Sequence, residues 1–380
     1  MIYLDHNAIT PVRPEARSAV LSALEVFGNP ASVHAAGRAA RDVLDGARAQ
    51  VAAALGSRTG EVVFTSGGTE SAAIAIRGVL GASEGGREEL VVTAVEHPCV
   101  LDLAEALRTT GRRVSILPVS RRGLPDLEAA EAAITGRTAL VCAMVANNET
   151  GVLLPVRELC ALAHDRGALF FTDAVQAVGK IEVDVRTLGV DLLALTGQKF
   201  GGPRGSGALY VRSGVRLAPI SGGTQERGRR AGTENLPGIA GLGAAIAAAV
   251  AGRGIEQPRL AALRDALEAG LLAELPGAIV NGAGAPRLPG TLSISFPGAD
   301  AEALIMALDL EDICASGGSA CHSGSASPSP VLRAMGLDPA LARATVRLSL
   351  GWTSTREEVK RVREVIPRLV QQIRREIPAA

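Results

Sequence analysis

Lys199 ends the segment 192–199, an apolar run followed by Thr196, Gly197 and Gln198, and a glycine-dense turn separates it from a second apolar run, 208–211. The pattern reads strand, exposed turn, strand. A lysine beside glycines is by itself most often a solvated charge. Twenty-six positions upstream, however, the run LFFTDAVQ delivers Asp173 and Gln176 at its carboxyl end. On neighbouring strands of a parallel sheet, residues at those two ends converge on one edge, where such sheets bind their ligands.

A third stretch, VVFTSGGTESAAIAI, turns from a short strand at 62–64 through Gly67, Gly68 and Thr69 into a helix. Backbone N–H groups of a glycine turn at a helix start, with a threonine hydroxyl, form a cradle for phosphate. Strand, glycine turn and helix are also common punctuation, so this stretch points to phosphate only in company with the other two. Together they meet the needs of pyridoxal 5′-phosphate: Lys199 for the Schiff base, Asp173 against the pyridinium nitrogen, and the glycine turn for the phosphate.

The elements that must position these residues follow from the hydrophobic pattern. Apolar runs at 62–64, 90–94, 114–119, 139–145, 169–172, 192–195 and 208–211, mostly separated by helix-length segments, predict a seven-stranded, largely parallel sheet with helices on both faces. Helical periodicity covers 15–27 and 37–55, the latter ending at Gly56. At 252–258 glycine, proline and charge mark a boundary. Residues 15–255 are therefore expected to form a large α/β domain, and 1–14 with 256–380 a smaller α+β domain. In the latter, helices are expected at 260–275 and 300–308 and strands at 291–296 and 346–350. The terminal helix is expected to start with a capping box between Ser354 and Glu357.

At 380 residues the chain exceeds one typical core. Lys+Arg and Asp+Glu are both 39, and no basic block suggests direct contact with nucleic acid. The longest apolar stretch, 239–250, is broken by glycine and too short for a bilayer, and Met1 leads straight into a strand-like YLDH. A cytoplasmic protein without membrane contact is expected. The five cysteines form no CxxC pair, so neither a disulfide framework nor a metal site is expected. Cys99, Cys142, Cys160 and Cys314 lie in apolar runs and read as small core residues, whereas Cys321 sits in the Gly/Ser-rich SGGSACHSGSASPSP.

The motifs YLDHNAITPV, GNPASVHAAGR, TSGGTES, VEHPCVL, ANNETGVLLPV, TDAVQAVGK, TGQKFGGPRGSGALYV, GGTQERGRRAGTEN, SGGSACHSGSASPSPVL and VRLSLGW run along nearly the whole chain. In that order they resemble the cysteine desulfurases of the NifS/IscS type, pyridoxal-phosphate enzymes of aminotransferase fold type I. The resemblance implies conversion of L-cysteine to L-alanine, with Lys199 and His97 at the cofactor and a persulfide formed on Cys321. It assigns cofactor contacts to Gly68, Thr69, His97, Asn148, Asp173, Gln176, Thr196, Gln198 and Lys199, with His97 over the ring face. Asn148 and Arg347 would bind the substrate carboxylate. Thr233, beyond the cluster Arg227, Arg229 and Arg230, would reach the phosphate in a second copy, giving a homodimer with shared sites.

Alternatives remain at several positions. Asn147 and Asn148 could exchange roles by one place in a turn-forming pair. Arg347 could serve a structural salt bridge, and His97 could cap a strand end through the backbone. His322 either depresses the Cys321 thiol or is solvated. Three positions depart from the family pattern: Gln198 stands where histidine is usual, Ile9 for threonine and Ala73 for asparagine. The next sulfur acceptor is expected to be a protein such as an iron–sulfur scaffold, or a tRNA-thiolation or DNA-sulfur enzyme. Rival readings are a selenocysteine lyase or other pyridoxal-phosphate enzyme of this fold, or a weakly active scaffold.

Overall fold

A computed structural model describes residues 1–317 and 328–376. The chain begins with β1 (Ile2–Tyr3), α1 (Pro14–Leu24) and α2 (Ala35–Leu55), the last closed by Gly56 in the left-handed region at φ 67°. There follow β2 (Val62–Thr65), α3 (Gly68–Ala82), β3 (Glu89–Thr93), α4 (Pro98–Thr109), β4 (Val114–Leu117), α5 (Leu127–Ala133) and β5 (Thr138–Cys142). Next come α6 (Val156–Asp165), β6 (Leu169–Asp173), α7 (Val185–Leu188), β7 (Leu192–Thr196), β8 (Gly207–Val211) and the long α8 (Leu236–Glu274).

All seven predicted runs are strands of one sheet, in the order β2-β8-β7-β6-β5-β3-β4. β8 is antiparallel to both β2 and β7, and the remaining pairs are parallel. Six strands therefore end on the same edge. Side-chain alternation sends Val63, Val92, Phe171 and Leu209 into a cluster with α3 and α4, and Val62, Val91, Phe170 and Tyr210 into one with α2, α6 and α8. Burial on both faces is why these strands read as continuous apolar runs.

The rest of the chain contributes β9 (Ile279–Val280), β10 (Thr291–Ser295), α9 (Ala301–Asp309), β11 (Ile313–Cys314), α10 (Pro330–Ala334), α11 (Pro339–Arg343), β12 (Thr345–Ser349) and α12 (Arg356–Glu376). β12, β10 and β9 form an antiparallel sheet, and β1 pairs in parallel with β11. Their core joins Leu4 to residues between Leu260 and Ile373. Val331, Leu332 and Met335 instead pack into the large-sheet cluster.

The segment 252–258, expected as a domain boundary, lies within the continuous α8; a side chain at Gly254 would meet only open space, so the glycines cost propensity without leaving a packing fault. By length and composition α8 could cross a membrane, but half of its apolar window is buried in the protein core. The capping box of α12 sits one residue later than expected. Thr355 N donates to Glu358 Oε2 at 2.9 Å and Glu358 N to Thr355 Oγ1 at 3.2 Å, while Ser354 Oγ accepts from Gly351 N.

The loop before α8 is held by a buried ion pair that the sequence reading overlooked. Arg48 of α2 donates to both carboxylate oxygens of Glu226 at 2.8 and 2.7 Å, and Phe64 N donates to the same carboxylate. Glu226 and Arg227 both occupy the left-handed region, at φ 47° and 59°. Removing one member leaves the other charge enclosed, so Glu226→Ala is expected to cost about 3–5 kcal/mol. An Arg48→Met, Glu226→Leu double variant should recover most of that in the denaturant unfolding midpoint; equal stability of wild type and Glu226→Ala would contradict the anchor.

Candidate functional site

At the shared edge of the six strands lies a cavity of about 310 Å³. Each predicted residue reaches it for a local reason. β6 ends at Asp173, β7 runs into a single 3-10 turn that carries Gln198 and Lys199, and the turn after β2 leads into α3. Gly68 is required there, because a Cβ would stand 2.7 Å from Val175 Cγ2, two residues beyond Asp173. Gly207 likewise lets the start of β8 pass beneath the turn, where a Cβ would meet Gly67 Cα at 2.6 Å.

The cavity walls bring together Gly68, Thr69, His97, Asn148, Asp173, Gln176, Thr196, Gln198, Lys199 and Arg347. Thr233 is exposed and is not part of this wall. Cys321 and His322 lie outside the described residues. Cys99, read as a core residue, is half-buried and lines the cavity, and Cys314 is also only half-buried. Cys142 and Cys160 are buried as expected. Of the arginine cluster, Arg230 donates at 3.0 Å to Glu70, which lines the cavity, but does not itself line it.

Lys199 Nζ donates to the carbonyls of Asn7 and Ala8 at 2.8 and 2.6 Å. Asp173 Oδ1 accepts from Val175 N at 2.8 Å. Burial raises the Asp173 carboxyl above its ordinary range, opposed by Val175 N–H, His97 and Lys199. Burial lowers His97, with Asp173 pulling the other way and Lys199 adding to the fall. His97 Nδ1 accepts from Cys99 N at 3.2 Å, so it caps α4 while facing the cavity, and its neutral ring carries the proton on Nε2.

The asparagine pair divides its duties. Asn147 Oδ1 accepts from Glu149 N and Thr150 N and makes the turn, whereas Asn148 lines the cavity with its Oδ1 buried and without a partner among the described residues. Arg347 lies on β12, 1% exposed, with NH2 2.7 Å from Asp5 Oδ1 and NH1 donating to Asn148 O at 3.0 Å. The structural salt bridge is thus real, yet the guanidinium also reaches the cavity wall.

Three residues with no role in the sequence reading complete the site. Asn7, in the first motif, accepts Lys199 at its carbonyl and donates from Nδ2 to Asn148 O and Thr291 Oγ1. Lys180, four residues after Gln176, donates to Gln176 Oε1 and Asn7 Oδ1. Glu96, next to His97, accepts from Thr93 Oγ1 and Met144 N with Oε1, while its Oε2 is buried without a partner among the described residues. The available signal was position: all three stand inside motifs that had been singled out for other residues.

The aminotransferase class-V family model matches residues 2–362. Among curated proteins, the chain is 45% identical over 380 residues to the cysteine desulfurase NifS of Azotobacter vinelandii, covering 99% of this chain and 94% of that one. It is 42% identical over 379 residues to the cysteine desulfurase IscS of Methanosarcina thermophila, with the same coverage. Among solved structures, a NifS-like protein aligns with TM-score 0.90 at 34% identity over 98% of this chain and 99% of that one. SspA in complex with cysteine aligns with TM-score 0.82 at 32% identity, over 92% and 99%.

Burial pushes Glu96 up to about 8, with nearby Asp173 adding to the rise and its two donors opposing it. An acid raised in the folded state contributes stability that is full below its unfolded value and is lost as pH rises through the folded one. Glu96→Gln, which mimics the neutral acid, should therefore gain stability relative to wild type between about pH 4.5 and pH 8. Denaturant midpoints of both apo proteins across that range check this; a constant difference would contradict it.

Proposed function

The chain belongs to the class-V aminotransferase family, and from that premise we propose that it is a pyridoxal 5′-phosphate-dependent cysteine desulfurase. It converts L-cysteine to L-alanine and takes the sulfur onto its own Cys321. The observation that carries this reading is the meeting of Lys199, Asp173, His97 and Arg347 on one cavity at the ends of parallel strands.

The walls fit that cofactor. A buried carboxyl raised by burial gains from a protonated ring nitrogen, and Asp173 offers one. The glycine turn at the start of α3, with Thr69, Thr196 and Gln198, would take the phosphate. Asn148 and Gln176, both in the cavity wall, would donate from their amide N–H groups to the phenolic oxygen. His97 would lie against the ring face and Lys199 would hold the cofactor. When bound, the ring supplies the electron sink that makes the substrate α-proton removable.

The chain's own groups do the remainder. Arg347, its guanidinium oriented by Asp5 and Asn148 O, would grip the substrate carboxylate as a fork. Lys199, released to the substrate, would move the proton at the α-carbon, with neutral His97 beside it as a second proton carrier. Cys321 thiolate would then bond to the substrate Sγ. The Cβ–S bond breaks with its electron pair left on carbon, which takes up a proton to become the alanine methyl, and Cys321 departs as the persulfide.

A homodimer in which Thr233 of each copy reaches the other's phosphate is part of this proposal, as is delivery of the sulfur to an acceptor such as an iron–sulfur scaffold in the cytoplasm. Residues 15–255, and 1–14 with 256–380, are taken as the large and small domains. In this arrangement the small domain carries Arg347 and the Cys321 segment to the cofactor held by the large one.

Sulfide and alanine release from L-cysteine with added reductant tests the reading. Wild type should be yellow and active, Lys199→Ala should lose both products, and Cys321→Ala should keep the yellow colour but lose both. Retained sulfide release by Cys321→Ala would exclude Cys321 as the sulfur acceptor.

A further inference from the structure

Lys180 is half-buried as a residue, yet its ammonium is enclosed, and burial holds it well below the ordinary lysine value, with Lys199 and Arg347 adding to the fall. It donates at 2.9 Å to Asn7 Oδ1 and at 2.7 Å to Gln176 Oε1. Gln176 Nε2 in turn donates at 2.8 Å to Asn7 O, which also accepts Lys199 Nζ. These bonds close a ring of three residues with Lys199 attached to it. A small second cavity of about 40 Å³ is lined by His6, Asn7, Lys180 and Lys199, so the cluster has little solvent around it.

The orientations in this ring are forced. A backbone carbonyl only accepts, so Gln176 must turn its NH2 toward Asn7 O, and Asn7 must turn its NH2 toward Asn148 O. Both amides then present their oxygens to one place. A lysine ammonium has donors only and satisfies both oxygens at once. Without it, two buried acceptors converge unpaired, and either amide relieves that cost only by turning and breaking its bond to a backbone carbonyl.

We propose that Lys180 is a positioning residue: by donating to Asn7 Oδ1 and Gln176 Oε1 together, it fixes the carbonyl that seats Lys199 and keeps the Gln176 amide set for the bound cofactor. This rests on the pyridoxal-phosphate reading of the cavity. Lys180 does not line the main cavity and touches the chemistry only through its two partners.

The test is equilibrium titration of the apo protein with pyridoxal 5′-phosphate, read by the visible absorption band and its induced circular dichroism, in wild type, Lys180→Met and Lys180→Gln. Lys180→Met keeps the length of the side chain and removes the donors. It is expected to keep the wild-type unfolding midpoint within a few degrees, to bind the cofactor about tenfold or more weakly, and to lose most of the induced signal. Lys180→Gln, which retains a neutral donor, should fall between. Wild-type affinity and wild-type dichroism in Lys180→Met, or in Lys180→Gln should the former fail to fold, overturn the proposal. Failure of the wild-type protein itself to bind the cofactor would instead overturn the reading of the cavity.

Discussion

The docking of the N-terminal segment onto the sheet edge through Asn7 is the interaction on which the site depends. Asn7 is 2% exposed and uses every polar group it has: its N–H donates to Ser349 Oγ, its carbonyl accepts Gln176 and Lys199, Oδ1 accepts Lys180, and Nδ2 donates to Thr291 and Asn148. One residue thus ties the turn after β6, the end of β7, the loop after β5, and the small sheet to a common point. Buried polar networks specify a unique arrangement when fully satisfied and are costly when they are not.

Charge is sorted around that point. Lys180, Lys199 and Arg347 are close enough for each of the last two to depress the first, and Asp5 balances Arg347. The carboxyls Asp173 and Glu96 neighbour one another, both raised by burial. A zwitterionic amino acid and a phosphorylated pyridine need opposite fields at their two ends, and an enclosed site makes such fields strong. Glu96, raised to about 8, is mostly protonated near neutral pH and adds little negative charge beside Asp173.

Much of the fold was legible in the sequence because the seven strands are buried on both faces and so read as unbroken apolar runs. What misled was local chemistry overridden by tertiary context. Gly252, Gly254 and Pro258 look like a break between elements, yet flanking helix that packs on α1, α2 and α12 carries them through as one element. Ser354 looks like the N-cap of α12, but its hydroxyl is committed to Gly351 and Thr355 takes the role. In the site, Lys199, Asp173 and the glycine turn announced themselves by residue type and strand-end position. Asn7, Lys180 and Glu96 could not: Asn7 works through residues 141 to 342 positions distant, Lys180 reaches Asn7 across 173 positions, and Glu96 is set by burial, none of which is visible as spacing.

In the proposed reaction sulfur passes from L-cysteine to Cys321. Peptide mass mapping of the wild-type protein after brief exposure to L-cysteine, with alkylation to trap persulfides, tests it directly. One added sulfur atom is expected on the peptide bearing Cys321, with Cys99, Cys142, Cys160 and Cys314 unmodified, and alanine formed in equal amount. Alanine formed while the added sulfur sits on another cysteine, or on none, would contradict it.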